Sequence, residues 1–123
     1  MQYTEDVFEE LFLAIRGDQT AFRWLMQNGY KELGAFTMAI AGKPDAYQWL
    51  EHNGFLPYSL VVKAAKRHTP SFNTLTTSKD KELACLVGVI HRDNNCKSWL
   101  QKHKCFELID LAHMIRNKIQ ANN

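Results

Sequence analysis

The sequence predicts an all-α fold, an α-solenoid of about five stacked helix pairs in which long and short helices alternate. Three observations lead to this prediction. The chain repeats with a period of 25 residues, the apolar residues of each repeat fall on one helical face, and glycines stand where helices should end. No stretch of useful length alternates apolar and polar residues, so no strand is predicted.

The long helices are marked by four apolar columns at positions i, i+3, i+6 and i+7. In the first repeat these positions are Phe8, Leu11, Ala14 and Ile15, and every equivalent position in the four later copies is apolar. This spacing lies on one face of an α-helix. Because such a helix pair does not bury its apolar face alone, each copy needs a neighbouring copy. Residues 1–123 are therefore predicted to form a single helical-repeat domain.

The short helices are marked by a tryptophan column followed by a leucine column, with all three tryptophans of the protein in the first. We expect these side chains to form the core between repeats, and an aromatic ladder facing a partner is the alternative. The predicted core residues are Trp24, Leu25, Trp49, Leu50, Leu75, Trp99 and Leu100.

Helix ends follow from the glycines, because a left-handed glycine commonly ends a helix. They stand after the first two long helices, at Gly17 and Gly42, and after the first two short ones, at Gly29 and Gly54. The unit near residues 68–80 breaks the pattern. Thr74 replaces tryptophan there, and the run NTLTTS has a low helix propensity. We expect a frayed or partly irregular helix in this unit, or a mobile loop that binds partners.

Composition favours a soluble cytoplasmic protein. Hydrophobic residues make up 46% and charged residues 23%, which is ordinary for a globular domain. The acidic start MQYTEDVFEE does not resemble a secretory signal, and no apolar run is long enough to cross a bilayer. Three cysteines, an odd number, do not suggest a disulfide framework.

Charge is distributed unevenly along the chain and predicts a binding edge. Residues 1–62 hold four basic and eight acidic side chains, a net of −4, whereas residues 63–123 hold eleven basic and five acidic, a net of +6. The last turns of the long helices would stack their basic residues along one edge of a solenoid, which predicts binding of an acidic peptide or a phosphate backbone. Cations that only complement helix C-termini are the alternative. The edge residues are Arg16, Lys63, Lys66, Arg67, His91, Arg92 and Arg116.

Metal binding and catalysis are not expected. His91, Cys96, His103 and Cys105 have the ligand types that zinc prefers, but their spacing matches no short zinc pattern. No nucleophile, metalloprotease or phosphate-binding motif is present in the sequence. We therefore expect no metal, no cofactor and no enzymatic activity.

Two stretches resemble a known repeat family. GDQTAFRWLMQNGY and GKPDAYQWLEHNGF are similar to the second helix of an ankyrin repeat, with Gly17 to Gly29 and Gly42 to Gly54 twelve residues apart. The resemblance is to a degenerate form, because the 25-residue period lacks the length of the β-hairpin finger in the usual 33-residue repeat. It implies a scaffold that binds other macromolecules and carries no shared catalytic residues.

These observations predict a non-catalytic scaffold that mediates protein–protein interaction. The expected partner is another protein with an acidic face. Nucleic-acid binding by the basic C-terminal half is the alternative. The protein should be a monomer or a weak homodimer, because an open stack leaves apolar faces at its two ends.

Overall fold

The computed structural model describes residues 1–121, and in them the chain folds into nine α-helices without a strand. The helices are α1 Glu5–Ile15, α2 Gln19–Gln27, α3 Lys31–Ile40, α4 Pro44–His52, α5 Leu56–Ala65, α6 Thr69–Thr77, α7 Lys81–Ile90, α8 Asn94–Lys102 and α9 Phe106–Ala121. The all-α prediction is confirmed. The predicted contrast in length is small, since the even-numbered helices have 9 residues and the odd-numbered ones have 10 or 11, apart from α9 with 16. Residues 122 and 123 of the predicted domain lie outside the described part.

The helices α1, α3, α5 and α7 each pack against the even-numbered helix that follows, which confirms the helix-pair repeat. The turn between α1 and α2 shows how the sequence ends one helix and starts the next. Gly17 has a φ of 105°, a conformation that glycine adopts at little cost. Asp18 then accepts a hydrogen bond from the Ala21 backbone N–H at 3.0 Å and caps α2.

The odd-numbered helices form an inner layer and the even-numbered helices an outer one. Seven of the ten residues of α3 are buried, and so are seven of the ten residues of α7. By contrast, each even-numbered helix buries at most two residues. The most deeply buried residues of the even-numbered helices are the four predicted leucines, which are all 0–1% exposed: Leu25, Leu50, Leu75 and Leu100.

The inner layer closes on itself. α1 contacts α3, α3 contacts α5, α5 contacts α7, α7 contacts α9, and α9 returns to contact α1. The sequence predicted an open stack with its first and last repeats facing solvent, so this part of the prediction was wrong. The physical reason is the wide apolar face of the terminal helices, because α1 and α9 each bury five residues and need neighbours on more than one side.

The segment before α1 ties the inner helices together at their N-terminal ends. The Tyr3 hydroxyl donates to Glu32 Oε1 at 3.2 Å and shares a 2.9 Å hydrogen bond with the hydroxyl of Tyr58. The Tyr3 ring also packs edge-on against Phe8 and Tyr30. Tyr3 thereby links the start of the chain to both α3 and α5.

The unit near residues 68–80 forms a helix with an irregular end. Residues Thr69–Thr77 form α6, a helix as long as the other even-numbered helices. His68 Nδ1 accepts a hydrogen bond from the Ser71 backbone N–H at 3.3 Å, and the buried Leu75 anchors α6 to the core. This cap and this apolar contact outweigh the low propensity of the threonine-rich run. The irregularity is confined to the end of the helix, where Ser78 is extended.

Replacement of Leu50 by alanine should lower the free energy of unfolding by about 3 kcal/mol, because it removes a fully buried side chain and leaves a cavity. The matched control is Leu56→Ala, since Leu56 is 46% exposed and should lose less than about 1 kcal/mol. Urea titration followed by circular dichroism measures both values. Equal losses in the two variants would contradict the two-layer packing.

Tyr3→Phe should change how stability depends on pH. Burial, followed by the hydrogen bond with Tyr58, raises the pKa of Tyr3 above its ordinary value. The folded state therefore favours the protonated hydroxyl, so its contribution is present below about pH 10 and is lost as the pH rises further. Tyr3→Phe should cost about 1–2 kcal/mol at neutral pH and make the alkaline fall in stability less steep.

Urea titrations between about pH 8 and about pH 11 test the Tyr3 prediction. Tyr30→Phe is the control, because within residues 1–121 the Tyr30 hydroxyl makes no hydrogen bond. An identical alkaline slope in the wild type and in Tyr3→Phe would show that Tyr3 does not hold the N-terminal ends of the inner helices together.

Candidate functional site

A cavity of about 630 Å³ lies at the C-terminal ends of the inner helices. It is bordered by the residues that follow α3, α5 and α7 and by the last turns of α9. Five of the seven predicted binding residues line it, and we call this site the basic cavity: Lys66, Arg67, His91, Arg92 and Arg116. Ala65, Ile90 and Ile119 supply apolar lining. The closed inner layer thus gathers at one end the charges that an open stack would spread along an edge.

Arg67 and Arg92 have an unusual backbone. They follow α5 and α7 at the positions that Gly17 and Gly42 occupy after α1 and α3. Their φ angles are 69° and 67°, so both arginines adopt the left-handed conformation that the glycines adopt at 105° and 95°. A residue with a side chain pays about 1–2 kcal/mol in this conformation. The cavity therefore holds two arginines at positions where glycine would be more stable.

Within residues 1–121, the charges of the basic cavity are not matched by acidic residues in its own lining, and Asp93 lines a second cavity together with Arg92 and Arg116. Among the described residues, those that line the cavity include no aspartate or glutamate. The ion pairs formed within residues 1–121 are Lys63 with Glu51 and the Met1 amino group with Glu82. Arg67 and Arg92 are also exposed. Their guanidinium groups are consequently accessible to a ligand.

Two predicted binding residues do not join the cavity. Lys63 Nζ lies 2.8 Å from Glu51 Oε1, and this hydrogen bond is the main cause of the lowered pKa of Glu51. Arg16 follows α1 and is exposed, but it does not line the cavity. Arg16 and Lys63 therefore lie outside the basic cavity, and their predicted role in binding stays a prediction. The reason for Lys63 is a contact between α4 and α5 that the repeat pattern does not show.

The remaining cations of the cavity are partly engaged. Lys66 Nζ donates to the Ala39 carbonyl at 3.3 Å and to the Tyr47 hydroxyl at 3.0 Å. Arg116 contacts His113 Nδ1. These contacts hold Lys66 and Arg116 at the rim and leave Arg67 and Arg92 with the larger share of free donors.

His91 differs from the other residues of the basic cavity because one of its ring nitrogens is buried without a partner among the described residues. Its Nε2 atom is buried and has no hydrogen-bond partner within the described part of the chain. The ring packs against Phe72 with a centroid distance of 6.1 Å. A buried polar atom without a partner is uncommon in native proteins. His91 Nε2 is therefore an unsatisfied polar atom in a residue that lines the basic cavity.

Sequence reasoning included Arg116 of α9 but missed the two cavity residues that follow it in this helix. Ile119 and Gln120 line the cavity because α9 continues for 16 residues, through the position at which glycine ends α1 and α3. Asn117 stands at that position, so the absence of glycine was the signal available in the sequence.

The tryptophans pack against the protein itself. Trp24 stacks on Tyr30 and Trp49 on Phe55, with ring centroids 5.9 and 6.2 Å apart. Trp99 stacks on His103 at 3.9 Å. All three are partly buried and pack against the core. These contacts stabilise the turns after α2, α4 and α8.

Cysteine and histidine clusters offer no further site. Residues 1–121 contain no group of three or more His, Cys, Asp or Glu side chains that could hold a metal ion. Burial raises the pKa values of the Cys96 and Cys105 thiols, with the value for Cys96 about 12. Thiols in such surroundings are poor nucleophiles at neutral pH.

None of the helices described in residues 1–121 combines the length and apolar character needed to cross a membrane.

Comparisons with known proteins give no match: no family model fits the chain, and neither a curated protein nor a solved structure matches it. The ankyrin resemblance stays a prediction from the sequence. The chemistry of the site therefore has to be inferred from its own residues. Arginine forks bind carboxylates and phosphates through paired hydrogen bonds, so the basic cavity is suited to an anionic group.

Arg67→Gly and Arg92→Gly should each raise the free energy of unfolding by about 1 kcal/mol, because glycine relieves the left-handed strain. Lys104→Gly is the control, since Lys104 has a φ of 59° but lines another cavity together with Glu82 and Glu107. The gain should be larger for the arginines, which also lose repulsion from neighbouring cations. Urea titration at low salt and at about 1 M salt separates strain from repulsion. A loss of stability in both arginine variants would contradict this explanation.

Proposed function

We propose that this protein is a non-catalytic helical-repeat scaffold that mediates protein–protein interaction in the cytoplasm. An acidic segment of the partner protein binds in the basic cavity. The supporting observation is that four formal cations and a histidine line one cavity in which, among residues 1–121, no carboxylate is present. The scaffold uses no metal or cofactor, because binding depends on side-chain charge and shape alone.

Helix dipoles by themselves do not account for this arrangement. A cation in the last turn of a helix already complements its C-terminus, and Lys63 occupies such a position in α5. Arg67 and Arg92 lie two residues beyond the last residues of α5 and α7, in a backbone conformation that lowers stability. A role in binding explains why arginine stands at these two positions, whereas the helix dipole does not explain it.

Nucleic-acid binding is the alternative, favoured by the net charge of +6 in residues 63–123. Strong binding to a phosphate backbone neutralises many phosphates along an extended track. Here the accessible arginines converge at one end of the inner layer. The overall charge of +2 also gives little long-range attraction. An acidic protein segment therefore fits the cavity better.

We propose that the scaffold works as a monomer, and a weak homodimer remains the alternative. Dimerisation was expected from apolar faces at the two ends of an open stack. The contact between α1 and α9 covers the terminal helices within the chain and removes that driving force.

A tagged pull-down from native lysate, with and without nuclease, tests the proposed function. The wild type should capture a small set of proteins that resist nuclease, and Arg67→Glu/Arg92→Glu should lose them. Arg23→Glu/Lys31→Glu is the matched control, because both residues are exposed and do not line the basic cavity. Capture that disappears with nuclease would support the nucleic-acid alternative. Capture retained by the Arg67→Glu/Arg92→Glu variant would exclude the cavity.

A further inference from the structure

We propose that the anionic group bound in the basic cavity is a phosphoryl group on a side chain of the partner protein, held between Arg67 and Arg92. This inference rests on the proposed function and names the chemistry that the cavity recognises. It follows from the charge around the cavity, the free donors of the two arginines and the space beside them.

The charge of the cavity exceeds what one carboxylate can offset. Lys66, Arg67, Arg92 and Arg116 carry four formal positive charges, and no acidic residue within residues 1–121 joins them in the lining. A carboxylate brings one negative charge and two oxygens. A phosphoryl group brings about −1.5 to −2 at neutral pH and three acceptor oxygens. A single phosphoryl group therefore offsets more of the positive charge of the basic cavity than a single carboxylate does.

The free donors belong to Arg67 and Arg92. Neither side chain makes a hydrogen bond or ion pair with another described residue, whereas Lys66 and Arg116 have partners. Each guanidinium group offers five N–H donors in a planar fork. The two arginines come from equivalent positions of successive repeats, after α5 and α7, which are in contact. Both arginines line the basic cavity, so both can contact one group bound there.

The space around the arginines suits a phosphorylated side chain on a polypeptide. On the α3 side, Gly42 lines the cavity, and a β-carbon built on this residue meets no atom within 4 Å. The volume of about 630 Å³ is larger than a phosphoryl group needs and leaves room for neighbouring residues. Ala65, Ile90 and Ile119 offer apolar contact to the carbon atoms of the phosphorylated residue.

The experiment uses three degenerate peptide libraries that differ only at one fixed central residue: phosphoserine, glutamate or serine. Each library is passed over immobilised full-length protein, and the retained peptides are quantified by mass spectrometry. The wild type should retain the phosphoserine library about tenfold more than the glutamate library. The serine library should not be retained.

Glycine variants make the test independent of folding. Arg67→Gly and Arg92→Gly should each reduce retention about tenfold, and the double variant should abolish it. Because both substitutions relieve left-handed strain, loss of binding would not reflect unfolding. Lys104→Gly, which alters a left-handed cation outside the basic cavity, should retain the phosphoserine library fully.

The outcomes separate this inference from the proposed function. Equal retention of the glutamate and phosphoserine libraries, lost in the double variant, would overturn the phosphoryl assignment and leave acidic-segment binding standing. Retention of neither library would overturn both. A duplex oligonucleotide probe that binds more tightly than any peptide, and depends on Arg67 and Arg92, would replace both with the nucleic-acid function.

Discussion

The packing of α1 against α9 is the contact on which the rest of the structure depends. Each helix pair buries one face against the next pair, and such an array can continue indefinitely or close. Closure gives α1 and α9 a neighbour on their remaining apolar side. It also brings the last turns of α9 beside the ends of α3, α5 and α7, which places Arg116 in the same cavity as Arg67 and Arg92. The site is therefore a consequence of closure as much as of the residues themselves.

The sequence predicts the helices well because their signals are local. The apolar columns, the tryptophan–leucine pairs and the glycine-ended turns each lie within one repeat, and the nine helices described up to residue 121 follow them. Closure is not local. It depends on the small angle by which each repeat is rotated relative to the one before. Many values of this angle are compatible with the same 25-residue period. This is why the five cavity residues were predicted as an edge, and why Lys63, which pairs with Glu51 across two helices, was grouped with them.

Under the proposed function, binding and stability compete at Arg67 and Arg92, which occupy equivalent positions in successive repeats. The first two copies end their inner helices with Gly17 and Gly42, which adopt the left-handed conformation readily. The next two copies keep the conformation but replace glycine with arginine, at a cost in strain. Strained backbone that carries unpaired charge beside a cavity is typical of a binding site. Under the proposed function, the departures from the repeat are its most informative residues.

Closure of the inner layer can be measured directly by nuclear Overhauser spectroscopy on protein with labelled isoleucine, leucine and valine methyl groups. A closed inner layer predicts cross-peaks between methyl groups of α1, such as those of Leu11 and Ile15, and methyl groups of α9, which include those of Leu108 and Ile115. An open stack separates these helices by three others. Cross-peaks from the α1 methyl groups to α2 and α3 alone, with none to α9, would contradict the closed architecture and the cavity that depends on it.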